Sequence, residues 1–231
     1  VIPAFLEHFT GISLVLPALF FSLFSVLNLY LIFLLAQRIG GESKEAYFAL
    51  ILAIFSQSLF YYSRHLMPYD VAMSFALLSL YVGLSDRVTV KHSLICGFCS
   101  LCCFVTYNGY WTLVGLAMIM HALRNSKSLV DIIQKGFFLT TGFFLSLLGL
   151  GVIAARVGIN LLTEYQNFAQ TITQGTFDEG WKLPFAYFWH AEHFLFVVLI
   201  LLSIFAILDW KCQQAERVIL WGGSILFVYA C

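Results

Sequence analysis

ISLVLPALFFSLFSVLNLYLIFLLA, residues 12–36, carries no charged side chain, and its one amide is Asn28. Apolar residues surround every turn, so a helix built from it has no face that prefers water. Such a helix is either wholly buried or sits in lipid. Roughly 20 apolar residues cross the hydrocarbon of a bilayer, and this stretch is longer than that. Similar blocks follow it along the chain. Hydrophobic residues make up 61% of the sequence and charged residues only 10%, with a mean hydropathy of +0.91. Soluble domains carry roughly 25% charged residues. The 24 phenylalanines also exceed what one soluble core needs.

The expected fold is therefore all-α, a polytopic transmembrane helix bundle forming a single domain over 1–231. About eight spans are read near 12–36, 46–62, 70–85, 93–107, 109–123, 136–157, 191–209 and 217–231. The connections Ser63 to Tyr69 and Tyr107-Asn108-Gly109 are short enough to make their neighbouring helices antiparallel. No stretch near Val1 has the basic start and short apolar core of a signal peptide. A first residue other than Met and an end at Cys231 inside an apolar run lead us to expect a piece of a longer protein.

Charge gives the expected orientation. Arg38, Lys44, Arg87, Lys91, Arg124, Lys127, Lys135, Lys211 and Arg217 fall on alternate connections, whereas Arg64, Arg156 and Lys182 fall on the others. By the positive-inside rule the first group is cytoplasmic. The 61–70 stretch, the Tyr107–Trp111 corner and the polar segment 158–190 then share the outer, non-cytoplasmic side. Within that segment, residues 159–172 read as an amphipathic helix lying on the membrane surface.

The candidate site residues lie on this outer side. Arg64, His65, Tyr69 and Asp70 stand between two apolar blocks, where charge is costly to desolvate and so marks a functional candidate. A guanidinium binds a phosphate through paired N–H groups. Asp70, opening a helix, suits an N-cap or a site carboxylate. Helix capping with an Arg64–Asp70 pair accounts for the same residues. Tyr107 and Asn108 form an outer corner with an Asn-Gly turn signal; its aromatics fit either sugar stacking or the interfacial belt. His190 and His193 flank Glu192 at a spacing that puts both histidines on one helix face. That spacing is not the H-E-x-x-H zinc motif. Phosphate contact, a divalent cation and plain helix-start decoration are all open for them.

Cys96, Cys99 and Cys103 share a helix face with Cys102 beside it. Metal or redox use needs thiolates, which burial in lipid disfavours, so these read as small packing residues. The net charge of zero excludes the basic surface a nucleic-acid partner requires. No phosphate-binding glycine loop, nucleotide fingerprint or clear metal motif is present, and no cofactor is assigned.

Tyr62-Ser63-Arg64, Pro68-Tyr69 and Leu77-Leu78-Ser79-Leu80-Tyr81 resemble a stretch of the GT-C membrane glycosyltransferases. The likeness is to the family-39-like enzymes related to protein O-mannosyltransferases and lipid A aminoarabinose transferases. Arg38-Ile39-Gly40-Gly41, the Tyr107-Asn108-Gly109 corner and the Trp189–His193 stretch extend it over roughly residues 10–200. The chain departs from the family pattern at His65, and in placing Asp70 after Pro68-Tyr69. The resemblance implies a polyprenyl-phosphate-sugar donor and a lipid, glycan or protein acceptor, with transfer on the non-cytoplasmic face. A bacterial inner membrane is the expected location. It also implies that the principal catalytic aspartate lies upstream of Val1, in a first outer loop. On this reading Arg64 contacts the phosphate, Asp70 serves catalysis by positioning the acceptor or a metal, and His190 and His193 assist at the lipid head. Two other classes stay open: a secondary transporter, and a non-catalytic subunit of a membrane assembly.

Overall fold

The computed structural model describes residues 11, 15–39, 42–56, 68–85, 89–107, 110–124, 126–174, 186, 189–198 and 200–201. All regular structure among them is helical. The helices are α1 (Val15–Arg38), α2 (Ser43–Phe55), α3 (Tyr69–Gly83), α4 (Val90–Thr106), α5 (Trp111–Leu123), α6 (Leu129–Arg156) and α7 (Leu161–Gln174). Short helical pieces follow at 189–192 and 194–198. Arg64, His65, Asn108 and the 217–231 span lie outside the described residues, as do 199 and 202–209 of the 191–209 span.

α3 is the central helix. It packs against α1, α4 and α5, while α4 also packs on α6, and α2 packs on α1. Leu77, Leu80 and Leu84 of α3 and its C-terminal turn meet Leu31 and Leu35 of α1 and Leu116, Ala117 and Met120 of α5 in one buried cluster. Ala72 and Ala76 meet Cys103, Tyr110 and Val114 in a second. α1 and α3 run parallel, because Asn28 meets Asp70 and, further along both helices, Arg38 meets Tyr81. α4 is antiparallel to α3: Ser79 bonds Cys96 and Ser100, whereas Ala76 packs near Cys103.

Among the described residues two helices are long and apolar enough to cross a membrane, α1 and α6. Only 22% and 17% of their most apolar windows are buried. A soluble core helix passing the same test would be covered. Instead Leu19, Leu23 and Val26 of α1, with Phe137, Leu148 and Val152 of α6, stay exposed, a surface that water does not tolerate in this quantity. α3, α4 and α5 are shorter: the 15 residues of α3 rise only about 22 Å at ~1.5 Å each.

Helix ends differ from the expected spans for local reasons. α6 starts at Leu129 rather than 136 because Ser128 caps it: the Asp131 amide donates to Ser128 Oγ at 3.2 Å, and the Lys127 amide donates to the Asp131 carboxylate at 3.1 Å. α2 starts three residues early, where the Glu42 amide donates to the Glu45 carboxylate at 3.0 Å. α6 stops at a Schellman turn, with Gly158 at φ +78° and the Ile159 amide donating to the Ala154 carbonyl at 2.9 Å.

These connections put Arg38, Lys44, Lys91, Arg124, Lys127 and Lys135 at one end of the bundle, and Arg156 at the other. Arg38 donates to the Tyr81 carbonyl and stacks 3.6 Å from that ring's centroid. Lys135 donates to the Arg124 carbonyl and to Ser126 Oγ, closing the end of α5. The amphipathic helix expected at 159–172 is present as α7. Asn160 caps it, accepting from the Leu162 and Thr163 amides at 3.1 and 3.4 Å.

Candidate functional site

The end opposite the basic residues holds Tyr69, Asp70, Tyr107 and Tyr110. Tyr69 meets Tyr107 edge-to-face at 4.7 Å between centroids, and Tyr107 meets Tyr110 the same way at 5.1 Å. The rings come from the start of α3, the end of α4 and the turn before α5. Each edge-to-face pair adds about 0.5–1.5 kcal/mol beyond its buried area. The corner is therefore a fixed aromatic wall. Of the site residues read from the sequence, Tyr69, Asp70 and Tyr107 are brought together here; Arg64, His65 and Asn108 fall outside the described residues.

Asp70 is turned into the bundle and is only 5% exposed. Ser25 Oγ donates to one carboxylate oxygen at 2.5 Å. Asn28 Nδ2 donates to the Asp70 backbone carbonyl at 3.0 Å and approaches the other carboxylate oxygen at 3.5 Å. Ser74 Oγ shares its hydrogen between Asn28 Oδ1 at 2.6 Å and the Asp70 carbonyl at 2.9 Å. The amide orientation of Asn28 follows from this network, since its NH₂ faces acceptors and its oxygen faces a hydroxyl. Asp70 sits in the first turn of α3, where a carboxylate also complements the helix dipole. The side chain ties α1 to α3 and does not line an open surface.

His190 and His193 are both exposed, while Glu192 between them is buried. Ser56, which ends α2, donates to Glu192 Oε1 at 2.8 Å. Both histidines thus face outward while the glutamate faces inward. His193 has φ +44°, in the left-handed region that non-glycine residues seldom adopt. It separates the two short helical pieces.

Sequence reasoning passed over two buried polar groups. Glu192 was read only as the residue between two histidines; its anchoring to Ser56 joins positions far apart in the chain. His121 was not singled out at all, and it is fully buried in the last turn of α5. Its Nδ1 lies 3.2 Å from the Gly83 carbonyl and its Nε2 lies 2.7 Å from Ser93 Oγ. A carbonyl only accepts, so Nδ1 carries the hydrogen and Ser93 donates to Nε2. One imidazole thereby joins α3, α4 and α5. No periodicity marks such a residue: it is a lone histidine near a helix end, where positive groups are ordinary.

Cys96, Cys99 and Cys103 are buried as the shared helix face implies, and Cys102 is half-buried. Cys96 Sγ lies 3.2 Å from Ser79 Oγ, and Cys103 packs among Ala72, Ala76 and Tyr110. Among the described residues no three His, Cys, Asp or Glu side chains come together as a metal site. Thiol labelling checks this packing. Maleimide applied to the folded protein is expected to leave Cys96, Cys99 and Cys103 unmodified, and to reach them once the protein is unfolded. Peptide mass spectrometry reads the sites directly, and rapid native labelling of Cys96 would contradict the packing.

Set against known proteins, the chain matches no family model, no curated protein and no solved structure.

Proposed function

We propose that this protein is a multi-pass membrane glycosyltransferase of GT-C type. It moves a sugar from a polyprenyl-phosphate donor to a lipid, glycan or protein acceptor on the non-cytoplasmic face. About eight spans of a bacterial inner-membrane protein would lie in this chain. The observation that carries the reading is the segregation of groups between the two bundle ends. Tyr69, Tyr107, Tyr110 and Asp70 gather at one end, and Arg38, Lys91, Arg124, Lys127 and Lys135 at the other. With the positive-inside rule, this turns the aromatic corner outward. The resemblance of the Tyr62–Arg64 and Pro68-Tyr69 stretch supplies the chemistry.

In the proposed reaction an acceptor hydroxyl attacks the anomeric carbon and a carboxylate takes its proton. The bond from that carbon to the phosphate oxygen breaks, and the polyprenyl phosphate leaves with the electron pair. Arg64 stabilises the charge developing on that phosphate. Tyr69 and Tyr107 supply apolar ring edges for the sugar. The bonds from Ser25 and Asn28 support a positioning role for Asp70, which holds the start of α3 and with it Tyr69. His190 and His193 face outward, as a contact to the lipid phosphate needs.

Transfer from a radiolabelled polyprenyl-phosphate sugar, using full-length protein in detergent with native lipid extract, tests the proposal. Wild type is expected to transfer label, and Arg64→Ala to lose it with the fold intact. Tyr107→Ala is expected to raise KM for the donor more than it lowers kcat. No transfer from any polyprenyl donor would overturn the reading and leave the transporter or the subunit.

A further inference from the structure

An open cleft of about 570 Å³ lies where α6 hands over to α7, lined by Gly151, Ala155, Gly158, Ile159, Leu161 and Leu162, with Asn160 also on its wall. That volume is within the about 300–1,000 Å³ typical of small-molecule sites. Three observations bear on its occupant. First, apart from Asn160 the side chains of the lining are apolar, and they continue the exposed apolar surface of α6 at Leu148, Val152 and Ile153. Second, the cleft is held open by the fold. The Schellman turn at Gly158 sets the angle between the helices, and Tyr165 of α7 meets Phe104 of α4 at 5.9 Å between ring centroids. A Cβ built on Gly151 meets nothing within 4 Å, so the glycine is not there to let another helix approach among the described residues. Third, Arg156 is exposed in the last turn of α6, one residue beyond Ala155 of the cleft wall, and is the one described Lys or Arg at this end of the bundle.

We propose that the α6–α7 cleft is a phospholipid site. One acyl chain lies along Gly151 and Ala155, and the lipid phosphate rests on Arg156. The inference rests on membrane insertion of α6 and is independent of the transferase reading. Inside a bilayer an apolar slot gains no hydrophobic preference for one chain over another, since all lipid tails are equally apolar. Selectivity must come from the shape of the slot and from the guanidinium–phosphate contact, which is charge-assisted and bidentate in favourable geometry. An arginine at a span end also reaches the headgroup level while its stem stays in the apolar layer.

The test uses the full-length protein in phosphatidylcholine vesicles doped with a phosphatidylethanolamine that carries a diazirine in one acyl chain. After irradiation and digestion, residues 151–162 are expected to be labelled severalfold more than residues 144–148 on the bilayer-facing part of α6. Gly151→Phe starts from a position whose Cβ meets nothing within 4 Å, places a ring in the cleft, and is expected to remove the excess while leaving 144–148 unchanged. A diacylglycerol with the same diazirine chain but no phosphate is expected to label 151–162 weakly, and Arg156→Gln to bring the phospholipid probe down to that level. Even labelling along α6, untouched by Gly151→Phe, would overturn the proposal and leave only bulk lipid. Complete displacement of the label by an equimolar polyisoprenyl phosphate would also overturn it, giving the slot to an isoprenoid chain.

Discussion

Gly97→Ala is expected to destabilise the protein by about 3 kcal/mol, the upper range for overpacking a tight interior. The reason is backbone, not side chain. A Cβ on Gly97 falls 2.2 Å from the Leu139 carbonyl oxygen and 2.7 Å from the Phe143 amide nitrogen. Gly142 faces the same crossing, with a Cβ 2.5 Å from the Leu94 carbonyl oxygen. Neither helix can yield by turning a rotamer, so α4 and α6 must move apart along their whole contact. Close approach of this kind is how membrane helices gain packing energy where burial from water contributes nothing. Thermal unfolding of detergent-solubilised protein, followed by fluorescence-detected size exclusion, measures the effect. Gly149→Ala is the control, because nothing lies within 4 Å of its Cβ, and the added methyl should favour the helix by roughly 0.5–1 kcal/mol. Equal melting of the two variants would show that the α4–α6 crossing is looser than described.

Asp70→Ala is expected to cost about as much, by a different route. The substitution leaves the half-buried Ser25 hydroxyl with only the Phe21 carbonyl at 3.5 Å and removes the acceptor of one buried Asn28 N–H, and an unsatisfied buried donor costs about 1–3 kcal/mol. Asp70→Asn keeps an acceptor oxygen for Ser25, so it should lose far less. The pair of variants also separates structure from chemistry. If Asp70 positions α3, Asp70→Asn retains both fold and sugar transfer, while Asp70→Ala loses them together. If Asp70→Asn instead folds at the wild-type temperature and abolishes transfer, the carboxylate takes part in the reaction and the positioning assignment fails. Ser25→Ala provides a third reading, since it removes the donor at 2.5 Å and leaves the carboxylate; it should shift stability in the same direction by about 1 kcal/mol.

These two predictions mark what was legible in the chain and what was not. Asp70 was visible as a charged residue opening an apolar helix. Its burial was not, because Ser25 and Asn28 lie 45 and 42 residues away, and no local pattern pairs them. Gly97 and Gly142 were likewise visible only as two glycines in apolar runs. The aromatic corner was half legible: Tyr107 was marked by its turn, whereas its meeting with Tyr69 depends on α3 and α4 packing antiparallel.

The sequence by itself determined the helical class, an amphipathic helix read at 159–172 and found at Leu161–Gln174, and the sorting of basic residues to alternate connections. Each of these is a one-dimensional property: run length, spacing and the sign of charge at each apolar boundary. Only the tertiary structure decided which polar groups face inward, that His121 and Glu192 are interior ties, and that α6 and α7 meet at an open cleft. The physical reason lies in the apolar surfaces themselves. Where every face of a helix is greasy, periodicity no longer says which side packs, and that choice falls to glycine crossings and to a few hydrogen bonds between distant turns.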